Sequence, residues 1–289
     1  YKLKIQLLGL SLAFTQIAIG HASFVPKPVE KLSYKENTTN VFTLGFNSKQ
    51  IDEVPYAKRV AEKFDLNHHI EYIDTMDMEA LLPKLVEHYG EPFADSSAIP
   101  TYYISKKIRE HVPVVLSGDG GDEAFGGYYS YQNFLKIANP SPSKYAYKDI
   151  IKKGLKLIGK TYATTPRTPT IEDWINLISY FNEKEVTTLL KPEIAKEINI
   201  ENSQYYRWYT KAKKNKLDLY STGSYLDYKM YLHGDILTKV DIASMMNSLE
   251  VRTPLIDKEI VNLMAQMPSK YKISRSKDGS WQKKKILNA

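Results

Sequence analysis

Residues 117–123, Ser-Gly-Asp-Gly-Gly-Asp-Glu, hold the densest group of residues able to do chemistry. Gly118, Gly120 and Gly121 permit backbone angles closed to other residues and let a ligand approach the main chain. Asp119 and Asp122 are three apart, so one helical turn would put both carboxylates on one side. Two close carboxylates beside open backbone suit Mg²⁺, which keeps several waters and shares one or two carboxylates with nucleotide phosphates. A plainer reading is a tight turn whose aspartate caps the next helix. The density of glycine and acid in one place weighs against it.

Such a loop needs rigid elements on either side. The apolar run at 112–116, rich in Val, reads as a buried strand of a parallel sheet. A strand, then glycines, then acids is what an open α/β sheet offers a ligand at the carboxyl ends of its strands. Upstream, residues 40–46 read as a second strand. Residues 52–64 carry Val54, Ala57, Val60, Ala61 and Phe64 at helical spacing, with Asp52 as a cap. Residues 68–73 read as a strand, on which His68 and His69 face opposite ways and so cannot easily share one metal ion. A helix over 78–89 ends at Gly90. A polar loop over 91–100 follows, then a helix over 101–111 leads into the key strand. Helical patterns recur at 171–181, 183–190 and 219–248.

Residues 117–128, Ser-Gly-Asp-Gly-Gly-Asp-Glu-Ala-Phe-Gly-Gly-Tyr, resemble the signature loop of the asparagine synthetases, in their ATP-using synthetase domain. Two further stretches support the likeness. Val-Phe-Thr-Leu-Gly-Phe at 41–46, with Ile-Asp-Glu-Val-Pro-Tyr-Ala-Lys-Arg-Val-Ala at 51–61, resembles the family's second strand and following helix. Residues 235–257 resemble its late helical signature. The likeness spans roughly residues 41–275. It implies an α/β fold with a parallel sheet of the adenine-nucleotide α-hydrolase or pyrophosphate-loop ATPase type, and a helical C-terminal half. It also implies an ATP- and Mg²⁺-dependent ligase that turns aspartate into asparagine through a β-aspartyl-AMP intermediate.

Carried over residue by residue, the resemblance puts Leu44 against adenine, although a core leucine is equally compatible. Ser117 and Gly118 would contact the nucleotide. Asp119 would act in adenylate formation and accept a proton from ammonia, standing where some members have the longer Glu. Asp119 and Asp122 would serve Mg²⁺. The 91–100 loop resembles a segment near the nucleotide and amino-acid pocket, so Asp95 or Ser96 would touch substrate unless the loop simply leads into a helix. Glu250, Arg252 and Asp257 are expected to form a buried ion-pair network, with Met245 and Met246 as core filler. Implied partners are aspartate and ammonia from glutamine, with a homodimer or a glutaminase partner compatible. Nucleic-acid and membrane partners are not expected, and the implied location is cytoplasmic. A β-lactam-forming or peptide-cyclising ligase, or an inactive remnant that at most binds nucleotide, are the alternatives.

The 289 residues include no cysteine, which excludes disulfides, thiolate metal sites and a cysteine nucleophile within them. The family's complete members release ammonia with such a nucleophile, so that step is expected to lie elsewhere. The family's phosphate loop, Ser-Gly-Gly-x-Asp-Ser, has no counterpart ahead of Val41. Its C-terminal catalytic lysine motif is not matched by Lys283, Lys284 and Lys285. Activity of these residues alone is therefore not expected. The sequence begins with Tyr1, and residues 5–20 are mostly apolar behind Lys2 and Lys4. That mimics a secretory signal, but a buried strand or helix is the preferred reading. The net charge of +7 gathers partly at 211–216 and 283–285, read as solvated helix faces. By domain, the expected division is a nucleotide-binding α/β part over 1–135, a connection over 136–170 and a helical part over 171–289.

Overall fold

The structure, a computed structural model, describes residues 17–20, 39–45, 54–72, 78–91, 93–139, 167–181, 183–276 and 279–287. In chain order the elements begin with β1 (Ile17–Gly20), β2 (Asn40–Gly45), α1 (Val54–Lys63), β3 (Asn67–Tyr72), α2 (Met78–Tyr89), α3 (Ala98–Arg109), β4 (Val114–Leu116) and α4 (Gly121–Phe125). Next come α5 (Tyr129–Ala138), α6 (Ile171–Ile178), α7 (Glu183–Leu189), α8 (Pro192–Ala195), α9 (Gln204–Lys214) and α10 (Leu219–Lys229). A π turn (Leu232–Ile236), α11 (Leu237–Met245), β5 (Glu250–Arg252), α12 (Lys258–Gln266), β6 (Ser274–Arg275) and β7 (Trp281–Gln282) follow, with short 3-10 turns among them. Among the described residues no helix is long and apolar enough to cross a membrane.

The chain forms two compact units: Tyr1–Gly121 with Leu232–Asn262, and Asp122–Tyr231 with Leu263–Ala289. These differ from the collinear division expected from composition, because the chain leaves the first unit after the glycine-rich loop and comes back to supply β5.

The first unit holds a five-stranded sheet in the order β3-β2-β1-β4-β5. β2 and β3 are parallel, with Asn40 opposite Asn67 and Gly45 opposite Tyr72. β4 and β5 are also parallel, Val114 opposite Glu250. β1 runs antiparallel to both β2 and β4, so the sheet is mixed where an all-parallel one was expected. An apolar run signals burial, and parallel and antiparallel ladders differ little in stability per residue, so strand direction is not written in the run itself.

The core of this sheet is Phe42, Ile108, Val112, Val115 and Leu249. Val54, Ala57 and Ala61 bury one stripe of α1, while Phe64 stays on the exposed side. Asp52 lies outside the described residues. Helix α3 starts at Ala98, earlier than expected, because Pro100 is tolerated in a first turn, where its missing N–H costs no bond. Strand β4 is short because Pro113 has no N–H to donate and Gly118 follows. As expected of strand neighbours, His68 and His69 part company: His68 bonds Thr43 Oγ1 at 2.9 Å, and His69 stacks on Phe42.

The second unit is helical. Its core is Tyr131, Phe134, Ile171, Trp174, Tyr220, Leu226 and Ile273. Trp174, fully buried, stacks on Tyr131 and meets Phe134 edge-on. Helix α6 begins with a capping box in which the Thr170 and Asp173 side chains serve each other's backbone N–H. Helix α9, expected only as a solvated basic face over 211–216, packs Tyr205, Tyr206, Trp208 and Tyr209 against this core and buries Ala212. The single helical pattern expected over 219–248 is two helices with the π turn between them.

Candidate functional site

In the first unit, β4 delivers Ser117 to the carboxyl edge of the sheet. The Ser117 N–H donates to the Arg252 carbonyl at 2.8 Å, extending the β4–β5 ladder one residue into the loop. The Ser117 hydroxyl donates to Asp119 Oδ2 at 2.6 Å, and the Asp119 N–H turns back towards Ser117 Oγ at 3.4 Å. The Gly118 carbonyl accepts from Gly121 N–H at 3.1 Å, which closes the turn. Gly120 has φ +83°, and a Cβ there would collide with the Ile256 side chain. Both facts require glycine. Ser117, Gly118 and Asp119 are thus brought together on one turn, with Asp119 half-buried. Leu44 is a buried residue of β2, opposite Glu71 of β3.

In the second unit, Asp122 begins a helical turn whose carbonyl accepts from both Gly126 and Gly127 N–H at 2.9 Å. Its Oδ1 lies 2.9 Å from Lys284 Nζ. Gly127 makes room for this pair, since a Cβ there would strike the Asp122 carboxylate and the Lys284 chain. Glu123 is buried. Its Oε1 accepts from the Tyr128 hydroxyl at 2.9 Å, and its carbonyl accepts from Ser224 Oγ at 3.0 Å. Burial and the Glu123 charge push the Tyr128 hydroxyl far above its ordinary value. Burial, helped by the Glu123 charge, also raises Asp227 to about 8. Lys284 and the buried acid cluster went unrecognised in the sequence. No motif marks a lysine so distant in the chain, and the Lys283–Lys284–Lys285 triplet reads as a solvated run.

The 91–100 loop also gains a definite role. Asp95 Oδ2 accepts from Lys239 Nζ at 2.8 Å, and Oδ1 accepts from the Ser97 N–H and hydroxyl. Ser96 is exposed. Glu250 and Arg252, expected in a buried network with Asp257, are not buried. Arg252 Nε bonds Glu250 Oε1 at 2.7 Å, but both side chains are about half exposed, and Asp257 instead accepts from the Glu259 N–H at 2.8 Å. A three-residue strand at the sheet's end cannot bury both flanking charges. Met245, expected in the core, is 55% exposed, because it ends α11 beyond the stripe formed by Val240 and Ala243.

Among the described residues no cluster of three or more His, Cys, Asp or Glu gathers as a metal site. Mg²⁺ does not need one, because one or two carboxylates and the phosphates of its nucleotide suffice. Each unit offers one carboxylate of this kind, Asp119 in the first and Asp122 in the second.

The chain is similar to known proteins. The asparagine synthase family model matches residues 29–289. Asparagine synthetase [glutamine-hydrolyzing] 1 of Bacillus subtilis (strain 168) is 32% identical over 241 residues, 80% of this chain and 37% of its own length. Asparagine synthetase [glutamine-hydrolyzing] 3 of the same organism is 24% identical over 277 residues, 93% of this chain and 39% of its own. A Methanocaldococcus jannaschii relative is 36% identical over 171 residues, 57% of this chain and 33% of its own. The chain thus spans well under half the length of these relatives. With a family match over nine-tenths of its residues, and a glycine-rich turn at the carboxyl edge of an α/β sheet, the chain belongs to the asparagine synthase family.

Proposed function

We propose that this chain supplies the synthetase part of an ATP-dependent amide ligase that makes asparagine from aspartate. The observation that carries the reading is the Ser117–Asp119 turn. A hydroxyl, an open glycine backbone and a half-buried carboxylate are held together at 2.6 Å by a loop that only glycine at position 120 allows. Carboxyl edges of open α/β sheets are where nucleotides bind.

In this reading a side-chain carboxylate oxygen of aspartate attacks the α-phosphorus of ATP. Pyrophosphate leaves, and the carboxylate oxygen becomes part of a good leaving group. Ammonia then attacks the acyl carbon, AMP departs, and the nitrogen loses a proton. Ser117 and Gly118 hold the nucleotide, and Asp119, kept in place by the Ser117 hydroxyl, receives that proton. Leu44 packs behind the adenine from the floor of β2. Asp119 and Asp122 are the candidate ligands of Mg²⁺, which would neutralise charge on the departing pyrophosphate. Ammonia derives from glutamine on a segment or partner outside these residues, which have no cysteine.

The test is aspartate-dependent release of AMP and pyrophosphate from ATP, with ammonium as nitrogen donor. AMP and asparagine formed in equal amounts support the reading. AMP with a different carboxylate points to a ligase with another acceptor. Nucleotide binding without AMP release reduces the chain to a nucleotide-binding member of its family.

A further inference from the structure

Helices α9 and α10 of the second unit are joined by the short link 215–218 and pack against each other. From Gln204 to Lys229 they carry six cations, Arg207, Lys211, Lys213, Lys214, Lys216 and Lys229, and two acids. Neither acid balances the cations. Asp227 is buried, and Asp218 accepts from the Ser221 N–H at 2.7 Å and from Ser269 Oγ at 2.6 Å. All six cations are exposed. Among the described residues none of the six stands in an ion pair.

The cations are placed in an orderly way. Arg207, Lys211 and Lys214 follow at intervals of four and three, which sets them in one row along α9. Lysines in a last turn complement the helix dipole, and that accounts for Lys211, Lys213 and Lys214. It does not account for Arg207, which lies in the first turn, where the dipole disfavours a cation. Nor does it account for the rings among them. Half-buried Trp208 meets Tyr225 of α10 edge-on, with centroids 6.0 Å apart. Lys211 and Lys229, one from each helix, both hold their ammonium groups 5.2 Å from the centre of the Trp208 ring. Lys229 also lies 5.8 Å from the centre of the Tyr225 ring. Two like charges thus share one indole, whose negative face offsets part of their repulsion.

We propose that this face of α9 and α10 binds an unpaired stretch of RNA. Its phosphates lie along Arg207, Lys211 and Lys214, with Lys229 as the fourth cation, and a base stacks at the Trp208–Tyr225 pair. An uncompensated row of cations selects a polyanion. Rings set among the cations select one with flat groups between its charges, which describes a nucleic-acid strand and not an acidic peptide. A lipid surface fits less well, because Trp208 is packed against the helical core and does not project into acyl chains. A duplex keeps its bases stacked on one another, whereas unpaired RNA offers them to aromatic side chains. The flexible lysine stems swing from the ring to the phosphates as the base takes their place. None of residues 117–123 takes part, so the proposal stands apart from the ligase reading.

The test is fluorescence anisotropy of an end-labelled, unstructured RNA strand of about 20 nucleotides, with the whole chain added. Neutralising about four phosphates predicts a loss of affinity of ~50-fold between 50 and 200 mM salt. Lys211→Gln combined with Lys229→Gln should weaken binding at the lower salt and cut that loss to below about tenfold. Lys184→Gln combined with Lys196→Gln removes the same charge from exposed positions on α7 and at the end of α8, and should leave the affinity unchanged. Trp208→Leu should weaken RNA binding by about tenfold or more and leave binding of inorganic polyphosphate as it was. If Trp208→Leu does not fold, the two lysine pairs still decide. Several outcomes overturn the proposal: no binding, salt-insensitive binding, or an equal loss from the Lys184 and Lys196 pair. So do equal affinity for duplex RNA, a preference for the DNA strand of the same sequence, and polyphosphate or anionic vesicles bound as tightly as the RNA.

Discussion

Lys284 Nζ stands 2.9 Å from Asp122 Oδ1, with both side chains less than one-fifth exposed. Gly127 lies against the pair so closely that any side chain there would take the carboxylate's place. The acid of the glycine-rich segment is therefore held by a lysine from the far end of the chain, through space that a glycine leaves open. A partly buried ion pair is costly to break from one side, because the other charge is left without compensation.

Gly127→Ala is accordingly expected to displace Asp122 from Lys284 and to destabilise by about 1–3 kcal/mol. Lys284→Ala should cost a similar amount. In a double-mutant cycle followed by urea unfolding, the two losses should combine to less than their sum, because both remove one interaction. Strictly additive losses would separate the glycine from the ion pair.

Asp119→Asn keeps the shape of the turn and the Ser117 contact but removes the proton acceptor. In the complete enzyme, AMP and asparagine formation should fall by about 10²- to 10⁴-fold, with the unfolding midpoint unchanged. Ser117→Ala should lower the rate less, since it frees the carboxylate without removing it. Wild-type rates in Asp119→Asn would remove Asp119 from the chemistry.

Asp227 is raised to about 8 in the folded chain from an ordinary 3.8, chiefly by burial. Between those values the folded state binds the proton that the unfolded state has released, so stability falls as pH rises from about 4 to about 8 and then levels off. Asp227→Asn lacks this term. It should match the wild type near pH 4 and exceed it above pH 8, by on the order of several kcal/mol. Melting curves at the two pH values read the difference, and a pH-independent gap would refute the assignment.

Gly223 of α10 faces Trp174 so closely that an added Cβ would meet the indole ring at 2.7 Å. Gly223→Ala should therefore destabilise by about 1–3 kcal/mol despite the better helix propensity of alanine. Trp174→Ala should cost about 3–5 kcal/mol. A stabilised Gly223→Ala chain would mean that the ring can move aside.

The elements that read most clearly in the sequence are those whose pattern is local. Val54, Ala57 and Ala61 recur at helical spacing, and α1 buries that stripe. The 183–190 pattern became α7 almost residue for residue. Of helix α9 only the basic end was legible, because its packed face is made of half-buried Tyr and Trp side chains and one alanine. The break between α10 and α11 was missed because apolar periodicity runs through it, while the backbone at Met230 departs from helical angles.

The glycine-rich turn was legible from residue types alone, because φ +83° at position 120 and contact with Ile256 are demands that only glycine meets. Residue types alone were enough for a turn of Ser117, Gly118 and Asp119 behind an apolar strand, and for the family those residues signal. Packing in three dimensions was needed to set the antiparallel course of β1, the meeting of Lys284 with Asp122 and that of Lys239 with Asp95. The physical reason is range. Backbone angles and apolar periods are set within a few residues, whereas a charge finds its partner only after packing has brought distant segments together and removed the water between them.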